Sequence, residues 1–248
     1  MIKLVNVGKK FGSKVALENI NLTIEDGETL AIIGGSGSGK STLLRLLIGL
    51  IRPTSGEIWV DGTEISHISE SELDKIRLKM GMVFQYSALF DSMTVGDNVA
   101  FGLREHTDMS EKEIAKVVEE KLHLVGLDNI ADMMPSELSG GMKKRVSLAR
   151  AIAFEPSIIF YDEPSSGLDP IMTAKIDELI LSTQQALKVT SVVVTHDMGS
   201  ACRIADRIAM VYEGRLIAVD TVEKFKKIDD ARVQAFFHTL STEKEAGA

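Results

Sequence analysis

A single cysteine, Cys202, excludes any intrachain disulfide and suits a reducing compartment. Long apolar runs are missing too. A bilayer-spanning helix needs about 20 consecutive apolar residues, whereas the most apolar stretch, Leu43 to Ile51, is short and broken by Arg45. The opening Met1-Ile-Lys-Leu-Val-Asn is interrupted by charge and polar groups, unlike the apolar centre of a signal peptide. The chain is therefore expected to stay in the cytoplasm and to reach a membrane only through a partner. Positive charge is in deficit, with 28 Lys+Arg against 36 Asp+Glu and a net charge of −8. That balance argues against a binder of the nucleic-acid backbone. No internal repeat is visible, and the guanine-recognition pattern Asn-Lys-x-Asp of GTPases does not occur. What remains is 248 residues with 44% hydrophobic content, enough to bury a sizeable core without staples.

Against this background the segment Gly34-Gly-Ser-Gly-Ser-Gly-Lys40-Ser41 stands out, because it fits the phosphate-cradling pattern G-x-x-x-x-G-K-[ST]. Thr29 to Ile33 before it is a short apolar run, as expected of a buried strand, and Ser41 to Leu50 after it is a leucine-rich helical stretch. Gly34, Gly35, Gly37 and Gly39, lacking Cβ, let backbone N–H groups turn inward on phosphates, with Ser36, Ser38 and Thr42 completing the cradle. Lys40 is placed to reach the outer phosphates and Ser41 to hold Mg²⁺. The bland alternative is a Gly-Ser surface loop.

Downstream, Ile158 to Tyr161 is an apolar run leading into Asp162-Glu163, a position at the C-terminal end of a strand where ligands sit on a parallel sheet. Asp162 is a candidate Mg²⁺ ligand and Glu163 a candidate for polarising an attacking water. Ser191 to Thr195 is a further buried-strand candidate that delivers His196 to the same sheet edge; His67, His106, His123 and His238 have no comparable context. Ser139-Gly140-Gly141 combines a helix-capping hydroxyl with glycines that let N–H groups approach an anion. Lys143, Lys144 and Arg145 then occupy the first turns of that helix, where taken alone they read as a basic solvated face.

Strand and helix signals are interleaved. Leu17 to Ile24, Glu57 to Val60 and Ile65 read as short strands, with Asp61-Gly62 as a hairpin turn, and Ile208 to Tyr212 pairs with Leu216 to Val219 across Glu213-Gly214. Between Met93 and Arg150 the period becomes helical: Ile114, Val117, Val118 and Leu122 share a face, and Ser110 with Glu113 makes a capping box. Phe225 to Leu240 is a final amphipathic helix candidate and Ser241 to Ala248 a frayed tail.

Three motifs in this order, the glycine loop, Leu138-Ser-Gly-Gly-Met142 and Asp162-Glu163, resemble the ATP-binding-cassette (ABC) family over residues 1–225. The resemblance implies an α/β P-loop NTPase fold: a RecA-like core with an antiparallel β edge (about 1–86 and 155–225), a helical subdomain (about 87–154), and a C-terminal helix and tail (226–248). It implies ATP and Mg²⁺ as ligands and a working unit of two copies, each closing Ser139, Gly140 and Gly141 over ATP held by the other. In that scheme Phe11 stacks on adenine where the family usually has Tyr, Gln85 links the core to the helical lobe and helps hold Mg²⁺, Asp169 reaches the opposing copy, and His196 contacts the terminal phosphate. Met142 stands where Gln is commoner.

The stretch Gln85-Tyr-Ser-Ala-Leu-Phe-Asp-Ser-Met-Thr-Val95, running on to Phe101, resembles the branch that powers Mla-type and other MCE-associated lipid transport. The expected partners are then membrane permease subunits docking near Ala88, Leu89 and Phe90, an MCE-domain lipid-binding protein and a small accessory subunit, but no nucleic acid. The expected location is the cytoplasmic face of the inner membrane. An alternative of another class is a soluble cassette ATPase of iron–sulfur cluster assembly.

Overall fold

The computed structural model describes residues 1–237. In chain order the elements are β1 (Ile2–Phe11), β2 (Lys14–Ile24), β3 (Thr29–Ile33), α1 (Lys40–Leu47), β4 (Ser55–Val60), β5 (Thr63–Glu64), α2 (Glu70–Arg77), β6 (Met80–Val83), α3 (Val95–His106), α4 (Glu111–Leu124), α5 (Gly140–Ala151), β7 (Ile158–Asp162), α6 (Pro170–Leu187), β8 (Thr190–Val194), α7 (Met198–Ile204), β9 (Arg207–Tyr212), β10 (Arg215–Thr221) and α8 (Val222–Phe225). A short 3₁₀ turn, Pro135–Glu137, precedes α5. The chain divides into two compact units, one of Met1–Leu73 with the residues from Thr190 onward, the other of Asp74–Val189.

The first unit contains two β systems. In one, β2, β1, β4 and β5 run antiparallel in that order. Register shifts along β1 accompany Asn6, whose φ is 50°. In the other, β3 lies between β8 and β9 and is parallel to both, with β10 antiparallel on the outer side of β9. All five residues of β3 and all five of β8 are buried. Strands covered on both faces lose the apolar–polar alternation, which is why Thr29 to Ile33, and Val192 to Val194 within the Ser191 to Thr195 candidate, show none. The β9–β10 turn is made by Glu213 and Gly214, both with positive φ, the combination a tight two-residue hairpin demands. Ala31, Ile33, Met198, Ala201, Ile208 and Met210 form a core that Phe225 and Val233 close.

The C-terminal expectation needs correction. Phe225 ends α8, residues 226–230 are non-helical, and helix resumes over 231–237, so no single helix runs from Phe225. The remainder of that expectation and the tail lie outside the described residues. Ile65 follows β5 and joins Ile58 through a single backbone hydrogen bond, outside the strand.

In the second unit, β6 and β7 form a parallel pair with Met80 opposite Ile158 and Val83 opposite Tyr161. Helices α3, α4, α5 and α6 make up much of the rest. Ser110 and Glu113 form the capping box expected from their spacing, and Ile114, Val118 and Leu122 are buried along one face of α4. Strand β6 and helices α2 and α6 are further elements that the sequence signals above do not mark.

Candidate functional site

The glycine loop owes its shape to backbone that other residues resist. Gly34, Gly37 and Gly39 have φ of 153°, 74° and 115°. A Cβ on Gly34 would overlap the carbonyl oxygen of Val211, and one on Gly39 would sit 2.7 Å from Leu17. Gly39 precedes α1 without any side-chain cap, so the first N–H groups of α1 face the loop with the positive end of the helix behind them. Lys40, buried, donates from Nζ to the carbonyls of Gly34 at 2.7 Å and Gly35 at 3.0 Å, which brings the ammonium back over the loop. The Ser38 carbonyl accepts the Gly214 N–H at 2.9 Å, fastening the loop to the β9–β10 turn.

Beside this loop lies a cleft of about 420 Å³ lined by Phe11, Lys14, Gly37 to Thr42, Glu213 and Gly214 among others. Its size suits a small molecule. Phe11 ends β1 on the rim, 49% exposed and therefore not a core residue, with Lys9 Nζ 5.0 Å from the ring centroid. Ser41 is exposed at the start of α1. His196 is also exposed; it follows β8, between buried Thr195 and Asp197, which caps α7 by accepting the Ser200 N–H at 2.9 Å. The residues of this unit thus offer what a nucleoside triphosphate requires: inward N–H groups, a cation over them and an aromatic face at the rim.

The second unit gathers a different set. Asp162 ends β7, and Glu163 follows with φ 47°, a left-handed conformation that costs a non-glycine residue about 1 kcal/mol. Gln85 donates from Nε2 to the Ser166 hydroxyl at 3.3 Å. Its main-chain carbonyl accepts a hydrogen bond from Lys144 Nζ. Lys144 is buried, contrary to the solvated face expected of Lys143 to Arg145; Lys143 and Arg145 are half-buried. Burial pushes the Lys144 ammonium below its ordinary range, while the charges of Glu163 and Asp162 act in the opposite direction.

Further along the same loop, Ser87 and Ala88 have φ of 62° and 47°. Arg150 donates to their carbonyls at 2.9 and 2.7 Å. Asn98, fully buried, receives the Phe90 N–H at 2.8 Å and donates to the carbonyls of Phe90, Met93 and Thr94. Phe90 is 43% exposed and its ring lies 4.9 Å from that of Phe101, also exposed. Tyr86 is almost wholly exposed.

Ser139 caps α5, accepting the Met142 N–H at 3.3 Å, and with Gly140 is exposed. Gly141 is buried, and a Cβ there would collide with the Met172 side chain. Asp169 caps α6, its carboxylate accepting the N–H groups of Ile171 and Met172. Lys144, Arg150 and Asn98 had escaped sequence reading, since each acts through a carbonyl that no local pattern marks.

The family described as ABC transporter matches residues 17–166. The intermembrane phospholipid transport system ATP-binding protein MlaF of Haemophilus influenzae is 44% identical over 236 residues, 95% of this chain and 89% of that protein. The methionine import ATP-binding protein MetN of Carboxydothermus hydrogenoformans is 50% identical over 202 residues, 82% of this chain and 60% of that protein. Among solved structures, the dimeric post-hydrolysis state of the ATP-binding cassette MJ0796, bound to ADP and Pi, matches with a TM-score of 0.82 at 38% identity, covering 90% of this chain and 99% of that one. The chain belongs to the ABC transporter family, as an ATP-binding, ATP-hydrolysing transporter subunit.

Proposed function

We propose that this chain hydrolyses ATP to drive phospholipid transport through a separate membrane permease. The observation that carries the phospholipid reading is the likeness to MlaF along 95% of the chain, including the Gln85 to Phe101 stretch. MetN, named for a different cargo, matches as well, so the phospholipid reading rests on the likeness to MlaF together with the resemblance of Gln85 to Phe101 to the lipid-transport branch.

The loop glycines and the uncapped start of α1 bind phosphate oxygens, and Lys40 leaves the Gly34 and Gly35 carbonyls to hold the outer phosphates. Phe11 offers its exposed ring to adenine. The Ser41 hydroxyl, Gln85 amide and Asp162 carboxylate are hard oxygen donors of the kind Mg²⁺ takes, alongside phosphate oxygens and water. When bound, Mg²⁺ neutralises charge that builds on the phosphates. Glu163 accepts a proton from the attacking water, and His196 orients toward the terminal phosphate. Catalysis of this type is mostly positioning and charge stabilisation, so Lys40, Gln85 and His196 count beside Glu163. Ser139 and Gly140, exposed at the start of α5, together with the buried Gly141 beside them, bind the nucleotide held by a second copy, and Asp169 meets that copy as well.

Phe90 and Phe101, exposed on the helical part, receive a short helix of the permease, with an MCE-domain protein and a small accessory subunit completing the complex at the cytoplasmic face of the inner membrane. No helix among the described residues is long and apolar enough to cross a membrane. With this reading goes a division into a core and β edge, about 1–86 and 155–225, and a helical subdomain, about 87–154. The test is copurification from membranes. Wild-type chain is expected to bring down a permease and to stay with membranes, and Phe90→Asp to be released while retaining basal ATPase. Capture of soluble iron–sulfur assembly proteins instead would overturn the transport reading.

A further inference from the structure

Three residues hold the loop that begins at Gln85, and two of them come from α5, the helix that Ser139 opens. Lys144 lies within two turns of Ser139 on that helix, buried, and its ammonium donates to the Gln85 carbonyl. Arg150, near the far end of α5, donates to the carbonyls of Ser87 and Ala88. Between these anchors the backbone passes through two consecutive left-handed residues that are not glycine, a conformation that persists only where its surroundings enforce it. A lysine costs conformational entropy and desolvation to bury, and its aliphatic stem alone needs no such site. The charge has a task here: the carbonyls that it and Arg150 hold are those of Gln85 itself and of Ser87 and Ala88 just after it.

We propose that Lys144 is a positioning residue, tying the Gln85 main chain to α5 so that the Gln85 side chain and the Ser139 helix start move as one piece. Gln85 is then carried by the same rigid element that presents Ser139. A loop set this way needs no rearrangement of its own when α5 shifts, while the Gln85 amide is aimed by its hydrogen bond to Ser166, on the loop before α6. The inference rests on the assignment of Gln85 to the catalytic machinery made above.

Lys144→Met keeps the buried stem and removes the donor, and Lys144→Arg restores a donor. In the nucleotide-free full chain, backbone amide hydrogen exchange over residues 85–88 is expected to rise at least tenfold in Lys144→Met, with exchange over β3 and α1 unchanged. In the purified transporter complex, kcat is expected to fall about tenfold in the same variant at unchanged KM for ATP. Lys144→Arg should recover most of both. Unchanged exchange over 85–88, or exchange that rises with kcat unaltered, would overturn the proposal. So would a Lys144→Met variant whose kcat, KM and melting temperature all decline together without recovery in Lys144→Arg, the pattern of a purely structural lysine. Gln85→Ala separates the two readings: if it leaves kcat intact, the assignment of Gln85 fails, while the exchange result still reports on the Lys144 contact.

Discussion

The glycine loop of residues 34–41 and the loop of residues 85–90 solve the same problem in opposite ways. Both hold backbone in left-handed conformations. In the first, glycines take the positive φ values, and the side-chain ties are local: Lys40 reaches back five and six residues to Gly35 and Gly34, the one distant tie being the backbone bond from Gly214 to the Ser38 carbonyl. In the second, Ser87 and Ala88 take them, and the ties come from Lys144 and Arg150, 59 to 63 positions away, with Asn98 nearer at hand. A loop made to surround an anion keeps its own N–H groups and interior free of side chains. A loop made to transmit position is gripped by side chains from the element it must follow. The first is built for a ligand, the second for a mechanical connection.

The sharpest way to break this contrast is to put a side chain where the first loop has none. Gly34→Ala drives a methyl into the Val211 carbonyl and displaces the loop backbone. ATPase should fall on the order of 10²-fold or more, with ATP affinity lost in calorimetry, because a displacement of about 1 Å is enough for such a loss. Next in size is Asn98→Ala, which leaves the Phe90 N–H and three carbonyls without their buried partner. The cost should be about 2 kcal/mol, read as a melting temperature lower by about 4–8 °C, with the dissociation constant for ATP unaltered. The opposite pattern, weaker ATP at constant melting temperature, would erase the distinction between the two loops.

Phe11→Ala tests the first region at its rim. Removing an exposed stacking face should weaken ATP about tenfold and leave the melting temperature alone, and Phe11→Tyr should be tolerated. A lower melting temperature with unchanged affinity would make Phe11 a packing residue after all. Smallest is Ala88→Gly. Relief of left-handed strain, about 1 kcal/mol, is nearly offset by the extra freedom glycine gains in the unfolded chain, so stability measured by denaturant should move by less than about 0.5 kcal/mol.

The same contrast explains what was legible beforehand. The glycine loop, its flanking strand and helix, the Ser110–Glu113 cap and the Glu213-Gly214 turn are local signals, and each could be read within a few residues of sequence. So was Asp162 at the end of an apolar strand. Lys144 was misread as solvated because period and charge alone place Lys143, Lys144 and Arg145 together; burial of the middle one depends on a carbonyl in a distant loop. Strand β6, only four residues long, was missed for the same reason, since Met80 to Val83 becomes a strand by pairing with β7. The break at residues 226–230 is likewise not marked by period: Phe225 and Val233, eight positions apart, would share a face of one straight helix just as they share one core across the break.

The central claim is that ATP hydrolysis by this chain powers phospholipid movement, with Glu163 acting on the attacking water. The direct measurement is ATP-dependent transfer of a labelled phospholipid by the complex purified with this chain, compared between wild type and Glu163→Gln. Wild type should transfer lipid at a rate that follows its ATPase, and Glu163→Gln should bind ATP yet lose both activities by on the order of 10²-fold or more. Lipid transfer by Glu163→Gln at the wild-type rate, or a vigorous wild-type ATPase that moves no phospholipid, would contradict the account.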